Sequence, residues 1–407
     1  MQVIYNIAIY LMKFCCELLS LKNKKLKLMI QGQRETFKKL QSITKEDKIA
    51  WFHCASLGEF EQARNLIEVF KQTRKEYKIL VSFFSPSGYE IRKNYQQADY
   101  VVYLPFDTKK NVRRFVAMAH PSVVFFVKYE FWYNYIRALK DVPLFQVSLI
   151  LRKNHYLTRC YAYWFRKQLK YFNTFFVQDE NTQKVLASIG YTNAVVCGDT
   201  RFDRVFEISK EPKHFPIIDK FCEEGKIFIA GSSWPADEKI INEAIYQRRN
   251  NLKIILAPHQ IHKEHINEIQ RLFPSNVLYS EADVESLKDK KVLIIDSIGM
   301  LSHIYGKGDI TYVGGGFGVG IHNILEAAVF YKPVAFGPNN KKFKEAQDLL
   351  KRQGAKEINN KEDLALWVER LLTDKEYYNN VCRINGEYVE NNAGATQKIL
   401  QQIKNYL

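Results

Sequence analysis

The sequence has 407 residues, 60 lysines and arginines against 44 acidic residues, and a formal net charge of +16; 46% of it is hydrophobic and 14% aromatic. That length and apolar content exclude a disordered chain and allow two domains with cores of their own. Seven cysteines, an odd count with no C-x-x-C, exclude a disulfide framework and a zinc site and fit a reducing compartment. The basic excess asks for an acidic partner: nucleic acid, an anionic membrane face or a phosphorylated substrate. With no zinc-knuckle spacing or RNP-like pattern, nucleic acid is the weaker choice.

Residues 2–20, QVIYNIAIYLMKFCCELLS, are mostly apolar but contain Lys13 and Glu17, short of the ~20 uncharged residues a spanning helix prefers. There is no basic n-region or A-x-A site, so a signal peptide is not expected. Lys22, Lys24, Lys25 and Lys27 follow, a cluster suited to an anionic cytoplasmic leaflet. We therefore expect a membrane-associated helix and basic cluster over 1–30, with the body of the protein on the cytoplasmic side. A helix docked on its own protein is the other reading.

From Lys48 onward short apolar runs alternate with helical stretches. Strands are expected at Ile49–His53, Ile79–Phe84, Tyr100–Leu104, Val123–Val127, Leu144–Ser148, Phe175–Gln178 and Ala194–Cys197. Phe202–Gly225, with Pro212 and Pro216, breaks the rhythm and reads as a linker. A second series follows at Ile227–Ala230, Lys253–Ala257, Val292–Ile295, Ile310–Val313 and Val334–Phe336. Continuous apolar strands separated by helices indicate parallel sheets buried on both faces. The expected class is α/β, with two doubly wound Rossmann-like domains facing across a cleft, over 31–210 and 211–390, and a C-terminal helix over 391–407.

The stretch Ile310–Pro338 concentrates the signal. A strand runs into a turn with Gly314, Gly315, Gly316, Gly318 and Gly320, and a helix is expected from about His322 to Tyr331. Glycines let backbone approach a ligand closely, and a helix start favours phosphate. Neither G-x-G-x-x-G nor G-x-x-x-x-G-K-[ST] fits the spacing. His322, Asn323 and Glu326 fall at the expected helix opening, so a nucleotide site is the working reading and a capped glycine turn the plain one. Gly231-Ser232-Ser233-Trp234, Pro258-His259-Gln260 and Ile298-Gly299-Met300 also follow strands. All four loops should meet at one rim of one sheet. The histidines form no H-x-x-x-H pair backed by acids, so no metal site is expected.

In the first domain Ile49–His53 runs into Cys54-Ala55-Ser56-Leu57-Gly58-Glu59 and then a helix over Glu61–Phe70. Glu59 at that helix start suits a general base, though an acidic residue there also serves the helix dipole. Glu130 follows Val123–Val127 beside Phe131 and Trp132. It reads as a desolvated carboxylate or as one paired with a neighbour such as Lys128.

SLGE (56–59), YEFW (129–132), CGDTRFD (197–203), GSSW (231–234), APHQ (257–260), DSIGML (296–301) and VGGGFG…HNILEAA…KPVAFGP (313–338) resemble, in this order, the 3-deoxy-D-manno-octulosonic acid (Kdo) transferases of lipopolysaccharide assembly. The resemblance implies the GT-B fold and transfer of Kdo from CMP-Kdo to lipid IVA, a lipid A precursor, at the inner membrane. No cofactor or metal ion is implied. It casts Glu59 as the base and Glu130 as a second acid on the acceptor side. It makes Pro258–His259, Ile298–Met300 and the run Asn323, Ile324, Leu325 and Glu326 the CMP-contacting segments, to which the convergence of the loops adds Ser232, Ser233, Gly315, Gly316 and His322 as donor-side candidates. Many members carry arginine where His259 stands and glutamate where Met300 stands. The alternatives are a GT-B transferase using a UDP-sugar and a membrane lipid, a non-catalytic nucleotide-sugar-binding or scaffold protein, and a nucleic-acid-binding protein.

Overall fold

The computed structural model describes residues 1–211, 213–248 and 251–407. The chain forms two compact units, Met1–Arg204 with Ala393–Leu407, and Val205–Asn392.

Unit 1 contains all seven expected strands: β1 (Lys48–Cys54), β2 (Tyr77–Phe83), β3 (Tyr100–Tyr103), β4 (Pro121–Val127), β5 (Leu144–Leu149), β6 (Thr174–Val177) and β7 (Ala194–Val196). They lie in the order β3-β2-β1-β4-β5-β6-β7, with parallel pairing throughout. Alternation along β1 shows why the strands read as unbroken apolar runs. Ala50, Phe52 and Cys54 pack with Phe60, Leu66 and Phe70 of a helix on one face. Ile49 and Trp51 pack with Phe115 and Tyr135 on the other. A sheet covered on both faces has no side for a polar stripe.

The N-terminal segment and the crossover after β1 are helical: α1 (Gln2–Leu19), α2 (Lys24–Lys39) and α3 (Leu57–Thr73). α1 is docked on unit 1 along one side. Tyr5 donates to Asp107 at 2.6 Å, Asn6 accepts from Asn134 at 2.9 Å, and Gln2 accepts from Arg137 at 3.1 Å. Its other side leaves Val3, Ile4, Ile7, Tyr10, Leu11, Phe14 and Leu18 exposed. Asp107 also accepts the amides of Asn134 (2.9 Å) and Tyr135 (3.0 Å), and burial pushes its carboxyl up to about 7 against those donors.

The C-terminal helix Ala395–Ile403 packs in unit 1, where Ala395, Ile399 and Ile403 join the Phe52 cluster. Asp203 caps it, accepting the amides of Gly394, Ala395 and Thr396. The stretch expected as an irregular linker is helical instead, with helices Thr200–Lys210 and Pro216–Phe221. Pro216 starts the second because its missing N–H costs nothing in the first turn; Pro212 lies outside the described residues. The unit boundary falls between Arg204 and Val205, inside the first of these helices.

Unit 2 repeats the architecture with β8 (Lys226–Ser233), β9 (Leu252–Pro258), β10 (Asn276–Leu278), β11 (Val292–Ile294), β12 (Ile310–Val313), β13 (Val334–Phe336) and β14 (Ala355–Glu357). The order is β10-β11-β9-β8-β12-β13-β14, again with every pairing parallel. Strands β10 and β14 were not expected. Both are three-residue edge strands with no buried position. Each unit is thus a doubly wound α/β domain of the kind the GT-B fold is built from.

Candidate functional site

A doubly wound sheet binds its ligand where the strand order reverses, outside the carboxyl ends. In unit 1 the reversal lies between β1 and β4. Glu59 stands in the first turn of α3, after β1, and Glu130 stands three residues after β4 ends. Both candidate carboxylates therefore flank the switch point. The Ser56 hydroxyl, at the helix N-cap, donates to Glu59. The thiol of Cys54 at the end of β1 is raised well above its ordinary value by burial, then by the charges of Glu59 and Glu130. Burial, followed by Glu130, pushes the Tyr156 phenol up to about 12.

The partners of Glu130 differ from the expectation. Its Oε2 lies 3.0 Å from Nε2 of His53 and accepts the Trp132 indole N–H at 2.6 Å. Between β4 and Glu130 the chain turns through a positive φ of 62° at Lys128. His53 is wholly buried. Its Nδ1 meets the Ser82 hydroxyl at 2.9 Å, and Ser82 in turn accepts the Trp51 N–H at 2.8 Å.

In unit 2 the reversal lies between β8 and β12, where Ser232–Ser233 and the glycine turn are found. The turn is held by Asp237, at the third position of helix Pro235–Ile241. Its carboxylate accepts the amides of Trp234 and Gly315, each at 2.9 Å, and the Tyr312 hydroxyl at 2.7 Å. Burial raises Asp237 while these donors oppose the shift. Gly315 has φ +92°, and a Cβ there would lie 2.3 Å from the Gly320 carbonyl. A Cβ on Gly316 would lie 2.5 Å from the backbone of Gly337. Neither position has room for a side chain.

The helix expected over His322–Tyr331 is only four residues long, Leu325–Ala328. The reason is local. The His322 amide turns back to the Gly314 carbonyl at 3.2 Å, and Asn323 caps by accepting the Leu325 amide at 3.3 Å. His322 and Asn323 thus precede the helix, and Asn323 donates to Glu326 at 3.2 Å. Ile324 and Leu325 are buried and offer the site backbone only.

The His322 ring packs against His259, with centroids 4.4 Å apart. His259 stacks on Trp234 at 4.8 Å and 21°. The Trp234 N–H points at Nε2 of His322 at 3.3 Å, which makes that nitrogen an acceptor. Burial and then the neighbouring His259 lower His322 to about 4, and desolvation lowers His259.

The remaining candidates are placed less uniformly. The Ser233 hydroxyl is buried and donates to Glu238 at 2.9 Å, while Ser232 sits at φ 53° on the rim. Pro258 ends β9, and the His259 amide returns to the Ser233 carbonyl at 2.9 Å. Ile298 and Gly299 are exposed, and Met300 is buried beneath them at the start of helix Leu301–Ile304.

Sequence reasoning placed Trp234 in a rim loop without giving it a role, and passed over Asp237 and the partner roles of His53 and Ser82. Asp237 follows a glycine-bearing strand end at the third helix position, a signal of the kind that marks capping carboxylates. His53 and Ser82 are polar residues inside apolar strands, each of which calls for a buried partner.

Residues 31–204 match the family model described as 3-deoxy-D-manno-octulosonic-acid transferase (kdotransferase), ending where the first segment of unit 1 ends. A bifunctional glycosyltransferase/methyltransferase of Fusobacterium nucleatum is 25% identical over 374 residues, which cover 86% of this chain and 56% of that protein. The chain therefore spans little more than half of that relative's length. A 3-deoxy-D-manno-octulosonic acid transferase of Aquifex aeolicus is 27% identical over 332 residues, 80% of this chain and 86% of its own. Among solved structures, UDP-GlcNAc 2-epimerase from Neisseria meningitidis bound to UDP-GlcNAc has a TM-score of 0.62 at 15% identity, covering 88% of this chain and 99% of that one. That likeness concerns the fold alone. The resemblance to Kdo transferases drawn from the motifs is borne out by the family and relative matches.

The ring cluster has a pH signature. An unfolded histidine titrates near 6.5, whereas folded His322 stays neutral down to about 4. Between these values the unfolded chain binds the extra proton, so stability falls as pH drops through that window. The thermal midpoint of the wild type should decline from pH 6.5 towards 4, and that of His322→Asn should decline less. Equal declines would contradict the assignment.

Proposed function

We propose that this relative of the Kdo transferases transfers Kdo from CMP-Kdo to lipid IVA and releases CMP, with no resident metal ion. The observation that carries the reading is the placement of Glu59 and Glu130 at the switch point of the unit 1 sheet. These are the two acids implied by the family's motifs.

In this account unit 2 holds the nucleotide. The glycine turn at the end of β12 brings bare backbone to the ligand, and the His322 ring, packed on His259, lies beside it. A phosphate brought against those rings favours their protonated forms and so meets its own charge. Unit 1 supplies the acceptor side. The acceptor hydroxyl gives its proton to Glu59 as its oxygen bonds to the anomeric carbon. The bond from that carbon to the phosphate oxygen breaks, and its electron pair leaves with CMP. The Ser56 hydroxyl orients Glu59 for this task.

The proposed location is the cytoplasmic face of the inner membrane, with α1 lying on the bilayer. Support comes from the helix itself: it is the one helix among the described residues long and apolar enough to cross a membrane, yet its inner side is hydrogen-bonded to unit 1. An outward apolar face followed by exposed Lys22, Lys24, Lys25 and Lys27 suits an anionic interface. In flotation, the wild type should rise with vesicles containing anionic lipid, and the Ile7→Asp/Phe14→Asp variant should stay below. Flotation unaffected by the pair of substitutions would remove α1 as the contact.

The reaction is tested by CMP release from CMP-Kdo with and without lipid IVA. Release should depend on the acceptor, and Glu59→Ala should lower kcat by about 10²–10⁴-fold. Unchanged release in the variant would move the base elsewhere. No release from the wild type would overturn the donor and acceptor assignment.

A further inference from the structure

Beneath Glu130 lies a chain of hydrogen bonds that the transfer chemistry above does not use. Trp51 on β1 donates to the Ser82 hydroxyl on β2 at 2.8 Å, and that hydroxyl meets Nδ1 of His53 at 2.9 Å. The other nitrogen of His53 meets Oε2 of Glu130 at 3.0 Å. Trp51, His53 and Ser82 are fully buried, and Glu130 is 12% exposed. His53 therefore has no route to a substrate of its own.

Two contacts of the ring suit a hydrogen on Nδ1, which lies 3.2 Å from the Ser82 carbonyl while the Trp132 N–H lies 3.2 Å from Nε2; the 3.0 Å approach of Nε2 to a carboxylate oxygen requires a hydrogen on Nε2. With Nε2 protonated, the Ser82 oxygen accepts from Trp51 and gives its own hydrogen to Nδ1. The Nε2 hydrogen is donated to Oε2 of Glu130, where the Trp132 N–H converges at 2.6 Å. Two N–H donors on one carboxylate oxygen fix the plane of the group. Oε1 is left without a protein hydrogen bond among the described residues. Two titratable groups feel the charge of Glu130, the Cys54 thiol and the Tyr156 phenol, and burial, the larger cause, helps hold both in their neutral, protonated forms.

We propose that His53 is the positioning residue for Glu130: with its hydrogen on Nε2, it ties down Oε2 and presents Oε1 to a hydroxyl of the acceptor sugar. This rests on the reading of Glu130 as an acceptor-side residue. Charge-assisted hydrogen bonds of this kind orient as well as bind, and a misplaced carboxylate is costly when the geometry of attack is narrow.

The test is a double-mutant cycle on acceptor-dependent transfer, with His53→Leu, Glu130→Gln and the double variant, and with His53→Gln and Trp132→Phe as companions. His53→Leu should lower kcat by about 10–100-fold with the CMP-Kdo KM unchanged. His53→Gln, whose amide reaches the same oxygen, should recover part of the loss. In the Glu130→Gln background His53→Leu should cost nothing further. Additive losses would assign His53 a merely structural role and overturn the proposal. Trp132→Phe removes the companion donor from a half-exposed site and keeps the test open should His53→Leu fail to fold.

Nitrogen NMR of the His53 ring gives a readout that needs no turnover. The Nε2–H should be present in the wild type and should change its shift in Glu130→Gln. A ring protonated on Nδ1 alone would overturn the proposal even in an active enzyme. An inactive wild type with the expected ring signature would instead sink the transferase reading and leave the hydrogen-bond assignment standing.

Discussion

A parallel sheet sends the carboxyl end of every strand to one rim, and a single reversal of strand order opens that rim at one place. Both units obey this constraint, with reversals between β1 and β4 and between β8 and β12. Everything placed in the site follows from it. Glu59 and Glu130 are 71 positions apart in the numbering, yet the two strands that precede them are neighbours. The glycine turn and Ser232–Ser233 are brought together in the same way by the pairing of β12 with β8.

At each rim, polar side chains are buried where they support exposed ones, and burial of such groups is tolerable only when their partners are complete. Asp237 illustrates the trade. Its carboxylate is desolvated, but three donors from Trp234, Gly315 and Tyr312 converge on it and hold the glycine turn in shape. Glu238, the next residue, is held likewise between Ser233 and His265. The His265 Nδ1–H donates to the Gln260 carbonyl at 2.8 Å and so fixes the loop that carries His259. In unit 1, His53 and Trp132 do the same for Glu130.

The strands were readable in the sequence because parallel strands covered on both faces are apolar at consecutive positions. Strands β10 and β14 were not, since an edge strand of three residues with no buried position is too short to carry such a run. The helix after the glycine turn was overestimated. The largely apolar run 324–329 resembles a helical segment, but the backbone at His322 is committed to Gly314 and the ring to His259. The residues that carry charge at the rim were visible from their positions after strands. The groups beneath them were not: which partner Glu130 takes depends on the lateral pairing of β1 with β4 and β2, a long-range fact with no local signal. Asp237 was missed for the same reason, its role depending on a turn 78 residues further along.

The nucleotide identity of unit 2 is the point on which the functional account turns, and titration calorimetry of the whole protein with CMP, UMP and UDP tests it most directly. The account predicts saturable CMP binding that the uridine nucleotides displace weakly, and that is lost in Gly316→Ala, where the added Cβ meets the Gly337 backbone. UDP binding more tightly than CMP would contradict it and put a UDP-sugar in the donor's place.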